Sequence, residues 1–379
     1  MRKKFIAFAA AAVCAFRFFC FAAAADTDND ADRILDELYK DSGADELIYM
    51  LPESSENFLS DIGISDFRPF STNGITPNRF VQAVKKALYD NISEPFRAFM
   101  FVVAAVAIAG ALDTVKGGLA SQKVLMIMSS LSVVLAISPP LIALVNYLSE
   151  TITAAGNFML AYVPVMAGLM AASGSPSLGA SYCGMMIYSS NLVEQACIRL
   201  VIPLMKCILA LSITSSSCSA VRLDGVINMF RNASRIILTF CMSLFASFLT
   251  MRSLVAAAAD TLANRAVKFA VSSFVPLVGG ALSDAYQTML SCVSVLKSGV
   301  GAAAIAAVFA LFAVPVIRCM IWQMVTTTAA AVCDLFGLDR ISSLMKSCSF
   351  VISVMFAIMM CTMVMYIIGT AVVLIVGNG

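Results

Sequence analysis

Apolar residues fill this chain in long runs, parted by single charges or short polar clusters. The uncharged stretches are 98–112 (15 residues), 124–149 (26), 151–193 (43), 200–221 with Lys206 inside it, 236–251 (16), 298–317 (20), 319–333 (15) and 347–379 (33). A helix needs about 20 apolar residues to cross a bilayer core, and charges at its ends can snorkel to the interface. The 43-residue run has room for two spans, divided near Ser173-Gly-Ser-Pro-Ser177. Pro139-Pro140 predicts a kink or break within 124–149. The pattern therefore predicts an all-α polytopic membrane protein with about seven to nine membrane segments over 96–379.

The beginning of the chain has a different pattern. Arg2, Lys3 and Lys4 precede a short Ala/Phe-rich run that ends in Ala22-Ala-Ala-Ala25, which predicts a signal peptide over 1–25 with cleavage after Ala25. Residues 26–95 then become a small extracytoplasmic segment. Ile34, Leu35, Leu38 and Tyr39 make one helical stripe, and Thr76-Pro77 starts a helix on which Phe80, Val84 and Leu88 share a face. The segment carries 15 acidic and 6 basic side chains, a net of −9, against a net of +7 over 96–379. Its apolar core is thin without a partner, so it is expected to bind protein. Asp26, Asp28, Asp30 and Glu37 fit positions of a calcium loop, but Ala31 stands where that loop's sharp turn requires glycine. A solvated acidic start is the better reading.

The least regular stretch runs from Lys268 to Gly301. Pro276 and the pair Gly279-Gly280 sit inside 15 uncharged residues; Asp284 follows, then 12 uncharged residues to Lys297. Two readings stand: a Pro/Gly-broken or re-entrant hairpin, or a surface-lying helix followed by an ordinary span. Phe274-Val-Pro-Leu-Val-Gly-Gly, Leu282-Ser-Asp-Ala285 and the Leu-Lys-x-Gly-Val-Gly pattern ending at Gly301 resemble the stage III sporulation protein AE family. The resemblance implies a multi-pass component of the apparatus that joins mother cell and forespore. It implies as partners other stage III sporulation membrane proteins and, across the intermembrane space, a forespore-side protein. The site residues it draws attention to are Pro276, Gly279, Gly280, Asp284 and Lys297, as structural or pore-related positions.

Composition narrows the chemistry. Of 379 residues 60% are hydrophobic and 13% charged, with a mean hydropathy of +0.90, where soluble domains carry about 25% charged residues. The chain has no histidine, which removes the commonest general base and metal ligand. Its 12 cysteines include no C-x-x-C pair and none in 26–95, so they read as small buried residues of helices. No nucleotide-binding glycine loop, metal cluster or nucleophile–base pair stands out. The expectation is no enzyme, no cofactor, no metal and no nucleic acid, with the lipid bilayer as surroundings.

The remaining candidates are charges in apolar surroundings: Lys206, Asp260, Asp284, Lys297 and Arg318. Asp284 and Lys297 either pair, line a polar path, or sit singly at helix ends. Three features also share an offset of 112 residues: Pro164 with Pro276, Pro203 with Pro315, and Gly225 with Gly337. That register reads as an internal duplication or as chance similarity between apolar helices. Duplication would favour a self-contained permease, the alternative to a component of a larger channel complex.

Overall fold

The computed structural model describes residues 37–64, 77–113, 119–174, 176–217, 225–240, 243 and 279–376. The leader, the start of the acidic segment, Asp260 and Pro276 lie outside the described residues. What is described is helical, with no strand among these residues. After a short 3-10 turn, Glu46–Met50, come α1 (Glu53–Ile62), α2 (Pro77–Asp113), α3 (Leu119–Ala172) and α4 (Pro176–Ala196). A π turn, Cys197–Val201, joins α4 to α5 (Ile202–Ser217). Then follow α6 (225–240), α7 (Gly279–Leu335) and α8 (Asp339–Val376).

Five of the described helical stretches are long and apolar enough to cross a membrane. Two of them each take in two of the uncharged runs, because the helix continues through the charge between them, and most of the run 236–251 lies outside the described residues. The runs 124–149 and 151–172 belong to one 54-residue helix, and 298–317 and 319–333 to one of 57 residues. A lone Glu150 or Arg318 ends an uncharged run without ending a helix. Pro139 and Pro140 do not break α3 either. Each proline costs about 3 kcal/mol in a helix interior. Around them Ile137, Leu141, Leu144, Val145 and Leu148 are buried, and the Ser138 hydroxyl donates to the Val134 carbonyl at 2.7 Å, the packing and side-chain support by which membrane helices tolerate proline. The division expected near Ser173 is present: α3 ends in a turn at Ser173-Gly174, and Pro176 opens α4.

α7 is the axis of the bundle. Val300, Ala303, Ala304, Ala306, Ala307, Ala310, Leu311 and Phe312 are buried on every side of it, as expected for a helix that is apolar all round. The small side chains let neighbours approach closely. α8 returns antiparallel along α7, from Ser349 beside Gln323 (2.7 Å), through Tyr366 beside Phe312 (ring centroids 6.5 Å), to Leu374 against Gly301. The reversal between them is a left-handed glycine turn: Gly337 has φ 68°, and Leu338 N–H bonds to the Cys333 carbonyl at 3.0 Å.

α2 runs alongside α7 in the same direction. Phe80 meets Phe309 (5.7 Å between centroids) and Asn91 meets Arg318 further along. α1 lies on the same part of α7, with Phe58 at 6.4 Å from Phe309 and Asp61 paired with Lys86 at 2.8 Å. Its amphipathic pattern explains this: Ser55, Phe58, Leu59 and Ile62 face inward while Glu53, Glu56 and Asn57 face out. Of the face expected on α2, Phe80 and Val84 pack inward, but Leu88 is exposed and Ala83 and Ala87 complete the contact. α3 and α4 form an antiparallel hairpin, with Gly179 seated against the Ala167 carbonyl.

At the 112-residue offset the turn at Ser173-Gly174 corresponds to residues 285–286, inside α7. Pro203 follows a π turn, whereas Pro315 lies in the interior of a continuous helix.

Candidate functional site in the bundle interior

Three polar groupings interrupt the apolar interior. The first is on α7. Lys297 is fully buried, with buried Val293, Leu296 and Val300 around it on the same helix. Gly279 and Gly280 form the first turn of α7, and Asp284 follows in the second. Because the helix is continuous, Asp284 and Lys297 are 13 residues, about 20 Å, apart along its axis. They do not close on each other as a pair. Of the other charges singled out, Lys206 is exposed on α5.

The second grouping is centred on Arg318. Its Nε–H donates to the Asn91 side-chain oxygen of α2, and its guanidinium lies 4.6 Å from the centre of the Tyr147 ring of α3. Tyr147 in turn neighbours Ser54 of α1. One cation thus gathers four helices. A hydrogen bond to a charged group contributes about 1.5–3 kcal/mol and a desolvated cation–π contact about 2. These contacts let an arginine stand within a stretch of helix that is otherwise uncharged from Ser298 to Cys333.

The third grouping was not singled out from the sequence. Glu194, near the end of α4, lays its carboxylate directly on Gly156 of α3, where any side chain would collide with it. Ser190, one turn earlier, is 2% exposed. Tyr366 of α8, also buried, neighbours Ser190, Glu194 and Cys197. Nearby, Tyr162 of α3 faces Tyr182 of α4 and stacks on Phe158 at 6.0 Å. The sequence did hold one signal: Glu194 is the single charge that closes the 43-residue uncharged run. What it could not show is the Gly156 notch 38 residues earlier.

No three His, Cys, Asp or Glu side chains come together as a metal site among the described residues. Among the described residues Cys197, Cys292, Cys319, Cys333 and Cys348 are buried as the sequence reading expects, while Cys207 is exposed.

Long apolar helices around a buried central helix, with isolated polar groups inside, define a multi-pass helical membrane protein. The pattern of the stage III sporulation protein AE family matches residues 70–377, and the chain belongs to that family. It is 25% identical over 234 residues to the stage III sporulation protein AE of Bacillus subtilis (strain 168), an alignment that covers 62% of this chain and 59% of that relative. No solved structure matches the chain.

Proposed function

We propose that this chain is a non-enzymatic membrane component of the channel or secretion-like complex between mother cell and forespore, required after engulfment. The observation that carries the reading is the family match, which begins before α2 and reaches the end of α8. The chain would lie in the mother-cell membrane around the forespore, with 26–95 outside the cytoplasm. Its partners would be other stage III sporulation membrane proteins and a forespore-side protein.

Two features of the packing support a role within an assembly. The bundle axis is filled by α7, whose Ala304, Ala307, Ala310 and Phe312 are fully buried, so a conduit is better made between chains than through this one. On α2, opposite the face that packs on α7, Val81, Leu88, Tyr89, Ile92 and Phe96 stand exposed. A row of this kind on a partly polar helix suits contact with another protein of the complex.

A self-contained permease is the second reading, favoured by the polar groups at Lys297 and Glu194. Deletion of the gene separates the two when combined with reconstitution. The account expects cells that complete engulfment and then stop, and purified chain that moves no solute in liposomes. Solute flux by the chain alone would overturn it.

A further inference from the structure

At the turn between α7 and α8 three helices reach the edge of their apolar runs together. On α7 the uncharged run 319–333 stops at Asp334; on α8 the run 347–379 starts after Lys346; on α6 the run 236–251 starts after Arg235. Side-chain contacts bring these three edges to one level. Lys346 pairs with Asp334 at 3.0 Å, and the Arg231 guanidinium donates to the Ser347 hydroxyl at 2.9 Å. Arg231 and Arg235 both lie over the Phe350 ring, 5.0 and 5.3 Å from its centre. Charges that end together on neighbouring membrane helices mark the headgroup layer of the bilayer.

At this level α6 carries two arginines one turn apart. Lys346 is served by Asp334, whereas Arg235 is exposed and has no carboxylate partner among the described residues. A guanidinium held over a ring by its face still offers N–H groups along its edge, in the geometry that a phosphate accepts. Met229, Ile236 and Phe240 share the adjoining face of α6, and all three are exposed. We infer that Arg231 and Arg235 hold the phosphodiester of an anionic phospholipid, with its acyl chains lying along Ile236 and Phe240. One phosphodiester charge against two guanidinium groups leaves an excess of positive charge. That excess disfavours a zwitterionic lipid, whose ammonium group would add to it. An acidic peptide would match the arginines but leave the apolar face uncovered.

The test is lipid binding by the purified full chain in detergent, followed by the fluorescence of NBD-labelled phosphatidylglycerol and, separately, of NBD-labelled phosphatidylcholine. Phosphatidylglycerol should bind about fivefold more tightly, the factor that roughly one arginine supplies at a membrane surface. Arg235→Gln should bring the two lipids close to equal while phosphatidylcholine binds as it does to the parent chain. Arg97→Gln, a like change to an exposed arginine at the apolar edge of α2, should leave the preference intact. Equal binding of the two lipids by the parent chain would overturn the proposal. So would a preference that survives Arg235→Gln, or an equal loss in Arg97→Gln. Displacement of the lipid by inorganic phosphate or polyglutamate would make a soluble anion the ligand, and would overturn it as well.

Discussion

Arg318 shows how a single residue organises its surroundings. Its guanidinium is held between Asn91 and the Tyr147 ring, and removing either partner leaves a half-buried charge poorly served. Asn91→Ala should therefore destabilise the folded chain by about 1.5–3 kcal/mol, read as a lower Tm in detergent. Arg318→Met, which removes the charge and keeps much of the stem, should cost less than Arg318→Ala. Arg318→Met with the Tm of the parent chain would show that the cation contributes nothing beyond its volume. For Asp284 the expectation concerns function. Asp284→Asn should lower spore counts while the protein accumulates normally, and wild-type counts would remove the residue from the account.

Among the elements, the α7–α8 hairpin concentrates the packing. Gly301 meets the side chain of buried Leu374, so Gly301→Val needs space that the interior does not have. Overpacking of this kind costs about 1–3 kcal/mol and should lower Tm. At the turn, Gly337 at φ 68° occupies the left-handed region, where Gly337→Ala should cost about 1–2 kcal/mol. The same elements show what was legible beforehand. Gly174 and Pro176 announced a turn, because these residue types have few other uses between two apolar runs. Arg318 and Glu150 end uncharged runs without ending helices, since hydropathy registers a charge along the chain and not the partners that other helices bring to it. Glu194 was passed over for the same reason: Gly156 and Tyr366 are remote in sequence and meet it only in the bundle. Of the central motif, Gly279, Gly280, Asp284 and Lys297 proved to share one helix, while Pro276 falls outside the described residues.

For the whole molecule, helix length decides the arrangement. α3 and α7, at 54 and 57 residues, extend about 80 and 85 Å, against a bilayer core of about 30 Å. Both therefore continue well past any membrane they cross. The apolar faces of α1 and of the first part of α2 lie against Phe309, with their charged faces turned away from α7, and the proposed topology puts 26–95 outside the cytoplasm. A cysteine at Ser54 should then react with an impermeant reagent in intact protoplasts, above the level of the parent chain. Labelling that needs permeabilisation would invert the topology. The central claim is that the chain works as one member of an assembly, and its most direct test is a pull-down from sporulating cells after gentle solubilisation. The account predicts that other stage III sporulation membrane proteins co-purify with it. Recovery of the chain alone, from cells in which those proteins are present, would contradict it.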